Sequence, residues 1–181
     1  RIPPPPPSLV LGSRALRLPL MSIDPTGPSL ETLQSWMDLA LLEAEAAIAH
    51  GDVPVGAIVV NIETGQVIAS RHNERELTQD TTAHAEILAL RDASIAIGSW
   101  RLNDYALVVT LEPCPMCAGA SINSRIGLVV FGAADPKAGA MGTLYNLSCD
   151  PRLNHEARVV SGIHAEEGAL LLTNYFAQRR G

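Results

Sequence analysis

Ala106-Leu-Val-Val-Thr-Leu111-Glu-Pro-Cys114-Pro-Met-Cys117-Ala-Gly-Ala-Ser-Ile-Asn-Ser124-Arg-Ile-Gly127-Leu-Val-Val-Phe-Gly132 changes character twice. Ala106–Leu111 is a short apolar run of buried-strand length. Pro115 opens a helix, because the missing proline N–H costs nothing in a first turn; this helix runs to Ser124. Gly127–Gly132 is a second apolar strand. Upstream, Ala83–Ile97 reads as a helix closed by Gly98. Val53–Asn61 and Gln66–Ser70 read as strands joined by a turn at Glu63-Thr64-Gly65. Before them, Ser29 is a suitable N-cap. The helix it starts places Leu33, Trp36, Met37, Ala40, Leu41, Ala44, Ala47 and Ile48 on one face and stops near His50-Gly51. Downstream, Asp135–Pro151 is rich in Gly, Asp and Pro and reads as loop with at most one short helix. Arg158–Ser161 is a last edge strand. Ala165–Arg180 is a closing helix with Leu170, Leu171, Tyr175 and Phe176 as its buried face. The order α-β-β-α-β-α-β-β-α predicts one mixed sheet with helices on both faces.

The chain has 181 residues, enough for one domain with a proper core. Residues 1–29 form a separate leader, expected to be disordered: Pro3–Pro7 favours an extended polyproline conformation, and the apolar run after it is too short for a secretory signal. The change of composition makes Met21 a candidate initiator. Residues 30–181 are the expected folded domain. The net charge is -6, and the first 29 residues carry +2, so the folded part carries -8. That acidity argues against broad, non-specific attraction to nucleic acid. Lys137 is the only lysine, so a local basic patch is built mainly from arginine. No apolar stretch approaches the roughly 20 residues needed to cross a bilayer. The three cysteines, Cys114, Cys117 and Cys149, are too few for a secreted disulfide scaffold. They suit a reducing cytoplasm.

Chemistry concentrates in Thr82-Ala-His84-Ala-Glu86 and Glu112-Pro-Cys114-Pro-Met-Cys117. One helical turn puts both thiols on one side, and a helix N-terminus stabilises thiolate. His84 and Glu86, two apart, serve one site only if their helix begins at about Ala83. Two helix N-termini then face each other. His84, Cys114 and Cys117 make three ligands, the number found in catalytic zinc sites, with the fourth position left to water. Glu86 is the free carboxylate that takes a proton from that water and returns it to a ring nitrogen and a leaving amine. Hydroxide attack on an amidine-like ring carbon with loss of ammonia is hydrolytic deamination, and His-x-Glu…Pro-Cys-x-x-Cys is the recorded pattern of zinc deaminases. Two other readings compete. A Cys-x-x-Cys between strand and helix suits a thioredoxin-like redox pair, although the upstream His-x-Glu weighs against it. A structural zinc site requires a fourth ligand, for which Cys149, His72 and His155 are candidates.

Val53-Pro-Val-Gly-Ala57, Thr82-Ala-His-Ala-Glu-Ile87, Leu111–Ala120, Ser124-Arg-Ile-Gly127, Val130-Phe-Gly132, Asp135-Pro-Lys137 and Asn154-His155 together resemble the bacterial tRNA-specific adenosine deaminases over about Leu30 to Arg180. The resemblance implies a cytidine-deaminase-like α/β/α sandwich with a five-stranded sheet. It implies one zinc ion per subunit, a homodimer, and conversion of adenosine to inosine at the wobble position of a tRNA anticodon stem-loop. It further implies substrate contacts by Asn73 (target base), Asn154 (flipped nucleotide), Asp135 and Lys137 (anticodon backbone), and Phe176 and Arg180 (neighbouring nucleotides). Thr81 stands where a proline is common, and Ala134 and Ala138 flank Asp135. RNA affinity is expected to rest on Arg152, Arg179, Arg180 and Lys137. A free-base or nucleoside deaminase acting on guanine or cytosine shares the same metal ligands, and a zinc-stabilised subunit without catalysis is the non-enzyme alternative.

Overall fold

The computed structural model describes residues 27–179. The elements are α1 (Leu30–Ile48), β1 (Gly56–Asn61), β2 (Val67–His72), α2 (Arg75–Thr78), α3 (Ala85–Ile97), β3 (Tyr105–Leu111), α4 (Pro115–Asn123), β4 (Leu128–Ala133), β5 (Arg158–Ser161) and α5 (Ala165–Gln178). The five strands form one sheet in the order β2-β1-β3-β4-β5. β1 pairs antiparallel with β2 and β3, whereas β3–β4 and β4–β5 are parallel. The sheet is therefore mixed, with helices on both faces.

Strand periodicity sorts the core. Ala57, Val59, Leu107, Val109, Val129 and Phe131 face one layer with Ala85, Ala89, Ala93, Ala118 and Ile122 of α3 and α4. Their neighbours Ile58, Val60, Ala106, Val108, Leu128 and Val130 face the other, against Leu33, Trp36, Met37 and Ala40 of α1. Successive side chains of a strand point to opposite faces, so near-continuous apolar runs are what a doubly covered sheet demands. α1 lies close on the sheet at Gly56, where a Cβ would stand 2.0 Å from the Ala40 carbonyl oxygen.

The ends of the helices carry most of the departures from the sequence reading. Ser29 caps α1 as expected, accepting from Thr32 N at 3.1 Å. Ile48, placed on the buried face, is exposed, because the buried stripe of α1 ends on Ala44 and Ala47 and Ile48 is turned away from it. α3 begins at Ala85 and not at Ala83. The short α2 was not foreseen; Asp52, 1% exposed, holds it from a distance by accepting from Glu76 N at 2.9 Å and Leu77 N at 3.1 Å. Residues 134–157 contain turns and an isolated bridge between Met141 and Asn146, with no helix. In α5, Tyr175 is buried as expected, but Leu170 and Phe176 are exposed, which corrects the expected face. The helix rolls onto Gly168, whose Cβ would stand 2.7 Å from the Thr110 carbonyl oxygen, and that contact turns Leu170 and Phe176 outward. The proline leader, Met21 and Arg180 lie outside the described residues. No helix among the described residues is long and apolar enough to cross a membrane.

Candidate active site

The two segments singled out by the sequence meet at the N-termini of α3 and α4. His84 is the N-cap residue of α3 and Cys114 that of α4, with Pro115 opening the first turn. His84 Nδ1 lies 3.8 Å from Cys114 Sγ and 3.5 Å from Cys117 Sγ. The donor atoms of His84, Cys114 and Cys117 all fall within 4.8 Å of one another. A tetrahedral site with Zn–S near 2.3 Å and Zn–N near 2.0–2.1 Å has an N···S edge of about 3.6 Å. The residues present therefore fit such an ion in both donor type and spacing.

Among the described residues the group closes at three. The candidate fourth ligands are engaged or placed elsewhere: His72 Nδ1 pairs with Glu43 at 2.8 Å, His155 Nε2 bonds the Ile126 carbonyl oxygen at 2.8 Å, and Cys149 is an exposed loop residue. Cys149→Ser is accordingly expected to leave bound metal and activity unchanged, as measured by elemental analysis and turnover. Loss of metal in that variant would restore the four-ligand structural reading.

Charge at the site is arranged for a cation. Cys114 is held as thiolate, its pKa brought down to about 4 by the hydrogen bond from the Cys117 thiol, with further help from His84. Cys117 is pushed the other way, because it donates to the Cys114 thiolate and is buried next to Glu86. The hydrogen bond between His84 and Cys114 raises the His84 imidazole above its ordinary value. Two neighbouring sulfurs thus hold a proton that a divalent ion must displace, which links metal uptake to proton release. Glu86, on the first turn of α3 and 4% exposed, has its pKa raised, chiefly by burial. A raised carboxyl pKa brings a general base closer to neutral operating pH.

Asn73 is buried at the pocket wall. Its Oδ1 accepts from Ala85 N at 2.9 Å and its Nδ2 donates to the Val53 carbonyl oxygen at 3.2 Å. It therefore fixes the start of α3, and with it His84 and Glu86. An amide has two N–H donors and two acceptor lone pairs, so one donor and one lone pair stay available to a ligand. The pocket lining brings Asn73, His84, Glu86 and Cys114 together with Asp135, Arg75 and Glu112. Asp135 caps its own turn, accepting from Lys137 N at 2.8 Å and Ala138 N at 3.2 Å. An adjoining groove of about 600 Å³ is lined by Val53, Leu111, Ala133–Lys137, Leu172 and Phe176. Asn154 is not part of this lining; it borders a separate hollow with Cys149 and His155.

Two arginines expected to serve a polyanion are already engaged. Arg152 forms a two-pronged pair with Asp150 at 2.9 and 2.6 Å. Arg179 donates to the Gly51 carbonyl oxygen at 2.6 Å and stacks 4.3 Å over the Tyr175 ring. Arg75 and Lys137 are the cations that line the pocket and groove among the described residues. Arg75, Asp52 and Glu112 escaped the sequence reading. Only Glu112 carried a signal, as an acidic residue closing an apolar strand directly before Pro-Cys.

Comparison with known proteins is consistent with this geometry. The family model described as MafB19-like deaminase matches residues 31–180. The chain is 50% identical over 145 residues to a tRNA-specific adenosine deaminase of Bacillus subtilis strain 168, covering 80% of this chain and 89% of that protein. A solved structure from studies of A-to-I editing by tRNA:A34 deaminases at the wobble position is similar with a TM-score of 0.73 and 42% identity, covering 76% of this chain and 99% of that one. The guanine deaminase from Nitrosomonas europaea superposes with a TM-score of 0.71 at 27% identity, covering 80% of this chain and 84% of its own.

Proposed function

Because this chain belongs to the MafB19-like deaminase family and is 50% identical to a tRNA-specific adenosine deaminase, we propose that it converts adenosine to inosine at the wobble position of a tRNA anticodon stem-loop. The three-donor group of His84, Cys114 and Cys117, with Glu86 buried beside it and outside the group, carries the deamination chemistry, and the 50% identity to a tRNA-specific adenosine deaminase is the observation that carries the choice of substrate. We assign one zinc ion per subunit to that group. When bound, zinc supplies a Lewis acid that brings the pKa of water down to about 7 in favourable sites.

The chain's own residues account for the remaining steps. Glu86 accepts a proton from the attacking water and delivers it to the adenine ring nitrogen. It then takes the proton of the hydroxyl now on the ring carbon and passes it to the exocyclic amine; the C–N bond breaks, ammonia leaves, and the oxygen stays as the C=O of inosine. Asn73, fixed through Ala85 and Val53, offers its spare donor and lone pair to the base edge. A base acted on in this way must leave its stack, and the groove bearing Phe176 and Lys137 offers an aromatic face and a cation to its neighbours. Asp135 holds the turn that presents Lys137, and we assign Arg180 and Asn154 to outer contacts with the same substrate. The working unit is a cytoplasmic homodimer.

The decisive assay is sequencing of wobble adenosine in cellular tRNA with and without this protein: inosine that persists in its absence refutes the proposal. Guanine deamination is the second reading, favoured by the likeness to the guanine deaminase. Ammonia release from free guanine without inosine formation in a stem-loop would select it. Binding of the stem-loop is expected to weaken with salt, at about 0.7–0.9 in log K per phosphate contact for each decade of salt. Affinity that holds steady from low to moderate salt would argue against a phosphate-contacting groove.

A further inference from the structure

Glu112 is the least expected group near the pocket. It follows the last residue of β3 and stands two residues before Cys114, and it is 2% exposed. No cation partners it among the described residues; four donors of one loop converge on it instead. Oε1 accepts from Met141 N at 3.0 Å and from Thr143 N at 3.0 Å. Oε2 accepts from Asp135 N at 3.1 Å and from the Thr143 hydroxyl. Burying a carboxylate is costly unless its lone pairs are filled, and charge-assisted bonds to N–H groups are the strong kind. The loop also passes very near: a Cβ on Gly139 would lie 2.3 Å from Oε2. A backbone bond from Ala140 N to the Pro113 carbonyl oxygen at 2.9 Å runs alongside. The loop so gathered contains Asp135, Lys137 and Ala138, which line the pocket and its groove.

We propose that Glu112 is a positioning residue that uses its carboxylate as a template for the 135–143 loop and so holds the substrate-facing residues of that loop against the pocket before substrate arrives. The role of the loop toward substrate rests on the tRNA reading above; the templating itself does not. Residues 135–143 have little regular structure of their own, and without a template they would have to be ordered by each substrate molecule, at a cost in affinity. An amide at 112 keeps the shape but turns one acceptor into a donor facing two donors.

The test uses the metal-loaded full chain and the variants Glu112→Gln, Lys137→Ala and their combination, with Thr143→Val as a milder removal of one donor. Amide hydrogen exchange in Glu112→Gln should quicken at residues 135–143 and stay as in the native protein in α3 and α4. KM for an anticodon stem-loop should rise about tenfold with kcat within about threefold, as expected for lost ground-state binding. Lys137→Ala should raise KM in the native background and add little in the Glu112→Gln background, because coupled residues are non-additive. Unchanged exchange in the loop, equal acceleration over the whole chain, or additive KM effects would overturn the proposal. If Glu112→Gln does not fold, Thr143→Val decides by the same three readouts. If the native protein forms no inosine, the tRNA reading falls and the exchange measurement alone decides the templating.

Discussion

Glu86→Ala should keep its metal ion and lose about three orders of magnitude in kcat. Positioned general acid–base groups contribute typically 10²–10⁴-fold, and here one side chain serves both proton transfers. Metal retention follows from the geometry, since the three donor atoms lie within 4.8 Å of one another without Glu86. Folding should also survive, because deleting a buried carboxyl whose charged form is disfavoured by its surroundings removes a desolvation cost along with its contacts. Elemental analysis and single-turnover measurements on one preparation separate the two effects. Turnover within tenfold of the native rate would show that another group moves the protons.

Cys117→Ala should lose metal, activity and stability together. Cys117 is fully buried in the first turn of α4, so no water replaces its sulfur as a ligand. A ligand present at a thousand times its Kd stabilises the native state by about 4 kcal/mol. For a chain of this size the melting temperature should therefore fall by on the order of 10 °C, and a chelator should produce a similar drop in the native protein. The proton states add a direction with pH. His84 and Cys117 both have raised pKa values without metal, so acidification makes protons stronger competitors and apparent metal affinity falls. A Cys117→Ala protein that still bound stoichiometric metal would remove this residue from the ligand set.

Much of this was legible in the sequence because the signals are local. The apolar periodicity of β3 and β4, the proline after Cys114 and the Ser29 cap each report on neighbours within a few residues, and all gave elements close to those observed. The facing helix N-termini followed from the spacing of His84 and Glu86, although α3 starts two residues later than expected. What escaped depends on distance along the chain. α2 is four residues long and is held by Asp52 across 24 residues of sequence, so nothing near Arg75 announces it. Glu112 acts across 23 to 31 residues. The exposure of Phe176 turns on the roll of α5, which is set by a glycine against a carbonyl of another strand. Arg152 and Arg179 looked available in a list of cations and are engaged in three dimensions.

β4 and β5 are parallel neighbours, and parallel neighbours are usually bridged by a helix that fixes the length of the bridge. Here residues 134–157 span the distance as an irregular strap. A strap can be lengthened, shortened or rewritten while the strands keep their pairing, since no helical repeat has to be honoured. A frame of this kind can thus be refitted for a different guest molecule by editing the exposed stretches of one connecting segment, leaving the imidazole and sulfurs at the two helix starts untouched.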